Sequence, residues 1–525
     1  MIMKKLSFAA CLLILILGAC KKTETLEEVR LFRPVTKDAL LSEGNWIKAS
    51  WHPIKEAQSY TAQLSRDTFR TIIKSVTLDT NVYMFDNLDW DKLYQVQVRA
   101  NATDTVFNSG MSNLGSIKTA RFPTILNIPG PSELTDEAVK VSWTNGGAAV
   151  TSIKILKASD SSVVTTEALT PTDVTNQYKI ISGLSSATAY IIFLYSGTSV
   201  RGWADFTTNA PLSGIIIDLR GIIGRPSVLV DTIPIIPSGS TVLLKRGQTY
   251  NVPTALGLSK AITITSGDDL AVPEPANIYI TSNFNFTAGS VIDYIDFKNV
   301  SLKSDSYDSR YVFNTTASAT VGRISFENCK VEIFRGVVRL QSGTTTVSNF
   351  VIKNCIVDSV KDYAVLTAGV ATTKVDNISI TNSTFYKLVK FISSTTAGST
   401  SSSVLIENCT FNEAPQGGGS NYLIDYNTNN VTNGIQIRNC ILGMAKYGGA
   451  SMQVRGVRYN TGSTADGTGS YGTSDYLVSA NPIQNITPYA RPSTDIFTDP
   501  FNGNFKIKDT NFPGKSNSGD PRWRL

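Results

Sequence analysis

The segment "ISFENCKVEIF", from Ile324 to Phe334, recurs along the chain with the same layout. Four further copies follow it, namely "FVIKNCIVDSV", "ISITNSTFYKL", "VLIENCTFNEA" and "IQIRNCILGMA". Aligned on the asparagine, and counted from a weaker copy at Asn299, the copies are separated by 29, 26, 28, 26 and 31 residues. A period of this length is typical of a solenoid, in which each repeat forms one coil.

The residues around each asparagine predict a strand on either side of a corner. The positions two and four residues before it, and the position three residues after it, are apolar in every copy. The position directly before it is polar in every copy: Lys298, Glu327, Lys353, Thr381, Glu407 and Arg438. This alternation buries one face of each strand and exposes the other. We therefore expect short parallel strands stacked about 4.8 Å apart, coil upon coil, with a turn at each asparagine.

The Asn-Cys dipeptide could mark a metal site, a set of disulfides, a reactive thiol or a structural corner. Asparagine tolerates left-handed backbone at turns, and stacked asparagine amides can bond to one another along a solenoid. The position after it exchanges small residues: Val300, Cys329, Cys355, Ser383, Cys409 and Cys440. A straight column does not converge on a metal, and its parallel Cβ vectors disfavour disulfides. We predict a purely structural role for the dipeptide.

Two segments upstream of the repeats have strand patterns of another kind. Residues 30–122 and 123–210 each carry an early-strand tryptophan and, later, a tyrosine six residues after a leucine. These residues are Trp51 with Tyr94, and Trp143 with Tyr190. The layout resembles the fibronectin type III domain, with its buried tryptophan and its tyrosine corner. The resemblance implies two β-sandwiches that act as spacers.

From residue 211 onward, "STVLLKRGQTYNVP" leads into the repeats. This region resembles the pectin-lyase-like β-helices, and the resemblance implies right-handed coils over residues 211–525 with a cap at the C-terminal end. The predicted fold class is therefore all-β, with two fibronectin type III-like β-sandwiches followed by a right-handed parallel β-helix.

The first residues predict export and lipid attachment. Two lysines precede the apolar run "LSFAACLLILILGA", which is short for a membrane span and typical of a signal peptide. The run ends in "LGAC", which resembles a bacterial lipobox with Cys20 as the acylated first residue. We expect residues 1–19 to be removed, residues 20–29 to form a tether, and Cys20 to hold the chain in outer-membrane lipid, facing the exterior. The alternative is an ordinary secretory signal with an incidental cysteine.

Charge and histidine content exclude some functions. The formal net charge of +6 is mild for 525 residues, and the absence of a Lys/Arg-rich run argues against nucleic-acid binding. The only histidine is His52, which weakens any prediction of a histidine-liganded metal or a histidine-activated nucleophile.

Candidate functional residues of a solenoid lie in its outward columns and loops. Columns four and seven residues after the asparagine bring together five of them, with Lys390 nearby: Glu332, Arg335, Asp358, Lys361 and Tyr386. A lyase could use Glu332 and Asp358 to hold Ca²⁺ against a uronate, while Arg335 or Lys361 takes the proton. In a protein that binds a glycan without cleaving it, Arg335, Lys361, Tyr386 and Lys390 are the candidate contacts. The alternative is an exposed patch of mutually compensated charges. We expect no cofactor beyond this optional Ca²⁺.

The segment 443–492 is a second candidate because it is rich in Gly, Ser and Tyr. Its candidate glycan-binding residues are Tyr447, Arg458 and Tyr459, since tyrosine suits stacking on sugar rings and arginine suits carboxylates. The alternative is an irregular excursion that caps the end of the helix.

The ending "DPFNGNFKIKDTNFPGKSNSGDPRW" resembles the C-terminal region of a group of Bacteroidetes surface lipoproteins. In that group, fibronectin type III modules precede a pectin-lyase-like helix of undefined function, typically encoded with polysaccharide-utilisation machinery. The resemblance implies glycan capture, with an outer-membrane glycan importer as a candidate partner. We expect a non-catalytic lipoprotein that binds a polysaccharide, with an acidic glycan as the favoured ligand. The alternatives are a polysaccharide lyase or hydrolase acting on an acidic glycan, and a structural or adhesive surface protein.

Overall fold

The structure is a computed structural model that describes residues 29–416, 421–445 and 453–525. It contains two compact units. One comprises 140–179, 188–207 and the described residues up to Gly130, and the other comprises 131–139, 180–187 and the described residues from Thr208 onward. No helix among the described residues has the length and apolar character that a membrane span requires.

The first sandwich has seven antiparallel strands. They are β1 (Thr36–Leu41), β2 (Ile47–Trp51), β3 (Ser59–Ser65), β4 (Lys74–Leu78), β5 (Val82–Phe85), β6 (Leu93–Asn101) and β7 (Ser112–Lys118). The sheets run β1-β2-β5 and β4-β3-β6-β7, which is the fibronectin type III arrangement. Trp51 is fully buried and meets the ring of Tyr60 edge-on at 5.4 Å. The hydroxyl of Tyr94 accepts a hydrogen bond from the backbone N–H of Asp89 at 3.1 Å, which confirms the predicted tyrosine corner.

The second sandwich repeats this plan with fewer strands. They are β8 (Ala138–Ser142), β9 (Ser152–Lys157), β10 (Val163–Ala168), β11 (Tyr178–Ser182), β12 (Ala189–Ser196) and β13 (Ser199–Thr207), with a short helix at Pro171–Asn176. The sheets run β10-β9-β12-β13 and β11-β8. In place of an outer strand, Leu126 forms one isolated bridge to Trp143, whose side chain is buried as predicted.

Three parallel sheets, called here the first, second and third sheet, form a solenoid over the rest of the chain. The first sheet contains Ile216–Asp218, Ser240–Leu244, Ile262–Ser266, Ile295–Lys298, Ala319–Glu327, Thr345–Lys353, Thr373–Thr381, Ser403–Glu407, Ile435–Arg438 and Ala465–Asp466, with Ser290–Ile292 beside it. The second contains Thr249–Val252, Ala276–Ile280, Val300–Ser304, Lys330–Phe334, Ile356–Val360, Thr384–Leu388, Thr410–Asn412, Ile441–Leu442, Tyr471–Gly472 and Thr487–Pro488. The third contains Leu256–Leu258, Phe284–Phe286, Tyr311–Thr315, Gly336–Leu340, Leu366–Ala368, Ile392–Ser393, Tyr422–Asp425, Val454–Arg458 and Val478–Ala480. A short helix, Val228–Thr232, lies near its start.

These sheets confirm the predicted fold class, and they continue through a segment that was expected to be irregular. The described part of 443–492 is neither a flexible loop nor an irregular excursion, because strands such as Val454–Arg458 and Tyr471–Gly472 continue the sheets. The boundaries between the sandwiches and the helix stay a prediction.

The core of the solenoid is built from the apolar columns read in the sequence. Ile324, Phe350, Ile378 and Val404 stand in register on neighbouring strands of the first sheet. Aromatic rings stack along the axis, as between Phe385 and Phe411, whose centroids lie 5.2 Å apart. Each coil therefore buries its side chains mainly against the coils before and after it.

The repeated asparagine is a left-handed corner. The six asparagines have φ values of 53, 54, 55, 52, 54 and 51°: Asn299, Asn328, Asn354, Asn382, Asn408 and Asn439. The expected amide ladder is only partial. The Nδ2 group of Asn328 donates to Oδ1 of Asn299 at 3.1 Å, whereas Oδ1 of Asn408 accepts from Arg524 instead. The shared requirement is thus the backbone conformation, which non-glycine residues other than Asn and Asp seldom adopt.

The cysteine column is structural. The four cysteines are buried and free, and burial raises the pKa of the thiols of Cys329 and Cys409. The Sγ atom of Cys355 accepts from the N–H of Cys329 at 3.3 Å, and Oγ of Ser383 accepts from the N–H of Cys355 at 2.9 Å. Cysteine and serine in this column therefore both accept a hydrogen bond from a backbone N–H, which explains why they replace one another.

A second left-handed column, absent from the sequence prediction, lies five residues after the corner. Ile333, Ser359, Lys387 and Glu413 have φ values of 66, 55, 56 and 50°. Glu413 is fully buried, and neither carboxyl oxygen has a hydrogen-bond partner among the described residues. Burial raises the pKa of Glu413 to about 7, although the nearby Lys387 opposes the shift.

The C-terminal residues 493–525, called here the clasp, lie along the side of the solenoid. Nη2 of Arg522 donates to the carbonyl of Asn354, Nη2 of Arg524 to Oδ1 of Asn408, and the N–H of Gly519 to the carbonyl of Asn439, each at 2.8 Å. Its apolar residues, including Phe497, Phe505 and Phe512, form a cluster with Tyr386 and Ile441 of the second sheet. The sequence predicted a cap at the end of the helix, and the structure instead shows a lateral cover on the second sheet.

The left-handed corner predicts a specific order of stability among variants of Asn328. We expect Asn328→Ala to lower the free energy of unfolding by about 1–2 kcal/mol, because alanine is strained at this φ and loses the bond to Asn299. Asn328→Gly loses the same bond but tolerates the backbone, so it is expected to be less destabilised than the alanine variant. Urea unfolding followed by circular dichroism measures both. Equal losses would show that the amide bond, and not the backbone, decides the corner.

The buried carboxyl of Glu413 predicts a pH dependence of stability. Its pKa is raised from 4.5 to about 7, so between these values the folded state keeps a proton that the unfolded state has lost. The free energy of unfolding should therefore fall as pH rises through this window, by about 3 kcal/mol. Glu413→Gln should remove this component, whereas Glu407→Gln, on the outer face of the first sheet of the same coil, should keep it. Parallel pH profiles for wild type and Glu413→Gln would refute the assignment.

Candidate functional site

The first candidate column lies on the second sheet and is open only at one end. Lys303, Glu332, Asp358, Tyr386 and Asn412 stand in register on neighbouring strands, as the sequence predicted. Asn412 is fully buried, and Tyr386 is 8% exposed because the ring of Phe505 in the clasp packs against it at 5.4 Å. Burial and the neighbouring Asp358 raise the pKa of the Tyr386 hydroxyl. The expectation that Tyr386 is an accessible glycan contact is therefore wrong, because the clasp buries its side chain.

Glu332 is held by two lysines. Its Oε1 lies 2.8 Å from Nζ of Lys303, and its Oε2 lies 2.5 Å from Nζ of Lys330. Burial by itself raises the pKa of Glu332, but the hydrogen bonds from the two ammonium groups bring it below the usual value. Ca²⁺ needs six to eight oxygen ligands, and both oxygens of Glu332 already serve cations. The described residues contain no cluster of three metal-ligating side chains, so nothing in the structure supports the Ca²⁺ option at Glu332 and Asp358.

The two basic residues proposed for a lyase each have a carboxylate partner. Arg335 bonds Asp362 through Nε and Nη2 at 2.9 and 3.0 Å, and Nζ of Lys361 pairs with Asp308. The bonds from Asp362 raise the pKa of Arg335. A general base must lose its proton near the working pH, so Arg335 is poorly suited to that role. The pairing matches the sequence alternative of mutually compensated charges.

A cluster of arginine and tyrosine side chains lies beside this pair, on the outer side of the third sheet. The guanidinium of Arg339 stacks on the ring of Tyr363 at 3.7 Å, and Arg335 lies over the same ring at 4.6 Å. Nη1 of Arg339 donates to the hydroxyl of Tyr311 at 3.4 Å. Tyr311 and Tyr363 close over Gly336, where a Cβ would lie only 2.9 Å from Tyr363. The missing side chain of Gly336 thus makes room for this arrangement.

A similar cluster recurs further along the third sheet. Arg458 bonds Asp425 through Nε and Nη2, both at 2.7 Å, and these bonds raise the pKa of Arg458. Nη1 of Arg455 donates to the hydroxyl of Tyr422 at 3.3 Å, and Arg458 lies over the ring of Tyr422 at 4.5 Å. In both clusters a tyrosine of one coil meets an arginine of the next coil, beside an arginine paired with aspartate.

One polar ladder joins the two clusters. Its members stand in register on consecutive strands: Asn314, Arg339, Thr367, Ser393, Asp425 and Arg458. The small side chains of Thr367 and Ser393 separate the two bulky clusters, and four strand steps of about 4.8 Å place Arg339 and Arg458 about 19 Å apart. We call this ladder, with the flanking Tyr311, Tyr363, Lys390, Tyr422 and Arg455, the third-sheet face.

The other predicted residues are placed as follows. Lys390 is partly exposed just before Ile392–Ser393, and Tyr459 packs against the core of the solenoid with part of its ring exposed. Tyr447 and Cys20 lie outside the described residues. The structure brings Arg335, Lys361, Lys390 and Arg458 to the third-sheet face or its border, and it separates them from Tyr386 under the clasp.

Sequence reasoning missed Arg339, Tyr363 and Tyr422. The alignment on asparagine extended a few residues into the second sheet, and the loops that follow differ in length, so the third-sheet columns fell out of alignment. A signal was nevertheless present, because "GVVRL" and "YLIDY" repeat the pattern of an apolar pair followed by one charged residue.

The partly exposed side chains of this face suit contacts with anions and sugars. The guanidinium stacked on Tyr363 presents fixed N–H donors for carboxylate or sulfate oxygens, and the ring of Tyr363 offers an apolar surface to a sugar. Tyr311 and Tyr422 are buried, and their hydroxyls accept hydrogen bonds from Arg339 and Arg455. A ladder that runs along the solenoid axis can follow a linear polymer across several coils.

Two family models match the part of the chain that forms the solenoid and the clasp. The model of a domain of unknown function, DUF4957, matches residues 248–388, and that of another domain of unknown function, DUF5123, matches residues 404–523. The third-sheet face extends over both matches, with Arg339 in the first and Arg458 in the second. No curated protein matches the chain. Among solved structures, the FN1–FN3 domains of chicken CNTN1 are similar at 16% identity over 34% of this chain and 68% of that chain, with a TM-score of 0.16, a level that carries no argument about fold.

Proposed function

We propose that this protein is a non-catalytic polysaccharide-binding protein of the cell surface, acting in glycan utilisation. Acyl chains on Cys20 hold it in the outer membrane, the two sandwiches act as spacers, and the β-helix binds the glycan. An outer-membrane glycan importer is its candidate partner.

The observation that carries the proposal is the third-sheet face. It repeats one arrangement of tyrosine and arginine at two places about 19 Å apart, with small side chains between them. The clasp covers later strands of the second sheet, whereas Arg339, Tyr363 and Arg455 of the third-sheet face remain partly exposed. Tyr311 and Tyr422 are buried beneath the arginines that they contact. Several weak contacts in a line suit a polymer with repeated units, since their binding free energies combine within one molecule.

The pairing of charges supports binding over catalysis. Among the residues proposed for a lyase, Glu332 is neutralised by Lys303 and Lys330, Arg335 by Asp362, and Lys361 by Asp308. A lyase needs a basic group free to accept a proton, and each of these groups is engaged with an opposite charge.

A bulky residue in the middle of the third-sheet face should block binding. Ser393 is partly exposed, and it lies between Thr367 and Asp425 in the ladder. We expect Ser393→Trp to weaken glycan binding by roughly tenfold or more, because an indole there would occupy the path between the two clusters. Ser379→Trp is the matched control, since Ser379 lies on the outer face of the first sheet in the same coil. Affinity electrophoresis in gels containing a panel of polysaccharides measures both variants.

Two results would contradict the proposal. Equal retardation of wild type and Ser393→Trp on every retarding glycan would place binding elsewhere. An unsaturated, ultraviolet-absorbing product that Asp358→Ala or Lys361→Ala abolishes would establish a lyase instead.

Anchoring through Cys20 has a separate test. We expect Cys20→Ser to abolish incorporation of labelled palmitate and to move the protein from the membrane fraction to the soluble fraction, because the thioether-linked lipid can no longer form. Cys11→Ser, within the apolar run, serves as the control and should remain acylated. A Cys20→Ser protein that still incorporates palmitate would reject lipid attachment at this residue.

A further inference from the structure

We propose that the third-sheet face binds an acidic polysaccharide whose carboxylate or sulfate groups occur on every second sugar residue. This inference rests on the proposed function and names the class of glycan that the same face takes. Three cations that lack a carboxylate partner, and the distance between them, carry the argument.

The cations in question are Arg339, Lys390 and Arg455. Among the described residues none of them forms an ion pair, and the two interior ranges that the structure does not describe, 417–420 and 446–452, contain no Asp or Glu. The neighbouring basic side chains do have carboxylate partners. Asp362 bonds Arg335, Asp308 bonds Lys361, and Asp425 bonds Arg458. The face therefore carries three uncompensated positive charges.

Arg339 is held in position for an anion. Its guanidinium stacks on Tyr363 at 3.7 Å, and Nη1 donates to the hydroxyl of Tyr311 at 3.4 Å and to Oε1 of Gln341 at 3.2 Å. Its Nε is buried and has no hydrogen-bond partner in the described part of the chain. A partly buried cation whose contacts are only neutral is incompletely compensated, and an anionic ligand would supply the missing partner.

Arg455 repeats this arrangement at the other end of the face. Nη1 of Arg455 donates to the hydroxyl of Tyr422 at 3.3 Å, and its guanidinium lies over the Tyr422 ring at 5.2 Å. Lys390 lies between the two arginines. The pairing of Ile392 with Ile424 places it level with Tyr422, two residues before each.

The spacing of the three cations along the solenoid axis is regular, although Arg339 stands three residues further along its strand than Lys390 and Arg455. Arg339 belongs to the strand Gly336–Leu340, Lys390 precedes Ile392–Ser393, and Arg455 belongs to Val454–Arg458. One strand of the third sheet lies between each successive pair, namely Leu366–Ala368 and Tyr422–Asp425. Unpaired cations thus occur at every second coil, about 10 Å apart along the solenoid axis.

This spacing selects among acidic glycans. An extended chain of pyranose units advances by about one strand spacing per unit, so alternate units would meet a cation. The intervening coils offer Thr367, which has no charge, and Asp425, whose charge Arg458 neutralises. A glycan that is acidic at every unit would place half of its anions against these positions, one of them beside a carboxylate. A glycan with alternating acidic and neutral units places its acidic units at the cations and its neutral units at the intervening coils.

Binding of matched oligosaccharides to the full mature chain tests the inference. The probes are hyaluronan, which is acidic at every second unit, polygalacturonate, which is acidic at every unit, and neutral dextran, each of equal length and compared by isothermal titration calorimetry at physiological salt. We expect hyaluronan to bind at least roughly tenfold more tightly than the other two. Arg339→Gln, Lys390→Gln and Arg455→Gln should each weaken hyaluronan binding by roughly tenfold and reduce its salt dependence, because each removes one charge-assisted contact. Arg438→Gln, an exposed arginine on the outer face of the first sheet, is the control for net charge and should bind as wild type does.

The outcomes separate the two levels of the proposal. Dextran binding that Ser393→Trp abolishes and Arg339→Gln leaves unchanged would overturn the acidic ligand and keep the glycan-binding function. Equal binding of polygalacturonate and hyaluronan would overturn the alternation. Binding of oligo(dT) as tight as that of hyaluronan would show a general polyanion surface and overturn the inference. Failure of every polysaccharide to bind would overturn the proposed function itself.

Discussion

The structure depends on one backbone constraint, the left-handed residue that precedes most strands of the second sheet. Six asparagines with φ between 51 and 55° turn the chain at the same point of successive coils. Because every coil turns there, the strands that follow stand in register, and equivalent side chains lie side by side about 4.8 Å apart. Gly469, with φ of 77°, occupies the next corner, which fits the demand for a residue that tolerates this conformation. Any surface ladder, including the one bearing Arg339 and Arg458, inherits its alignment from these corners.

Stacking in register also sets the charge of each face, since like charges in one column repel and opposite charges attract. On the first sheet, Glu327 lies between Lys298 and Lys353, at 3.7 and 2.9 Å. On the second sheet, Glu332 lies between Lys303 and Lys330, at 2.8 and 2.5 Å. The third sheet departs from this balance, because Arg339 and Arg455 contact tyrosine hydroxyls and not carboxylates. Cations without a carboxylate partner lower the stability of the protein in the absence of a ligand. Such a loss of stability is common at binding surfaces.

The sequence predicted the fold well because the fold is local and periodic. Alternating residues around Asn328 and its copies report strand, corner and core directly, and a leucine six residues before the tyrosine, downstream of an early-strand tryptophan, predicted the tyrosine corner of Tyr94. The candidate site was predicted only in part. Arg335 and Arg458 were chosen for their residue type, but their aspartate partners lie in the next or preceding coil and cannot be paired from one aligned column. Tyr386 was expected on an open face because nothing in its own repeat reports the clasp, whose Phe505 lies more than a hundred residues further along the chain.

The clasp has a consequence for the order in which the chain can mature. Arg522 and Arg524 contact Asn354 and Asn408 across sequence separations of 168 and 116 residues, so these contacts can form only after the intervening coils exist. During synthesis, the apolar surface around Tyr386 and Ile441 stays uncovered until the clasp has been made. The clasp thus shields this apolar surface from solvent, and a chain that lacks the clasp would expose an apolar strip along its side. Exposed apolar surface of this kind promotes aggregation, so incomplete molecules would aggregate more readily than complete ones.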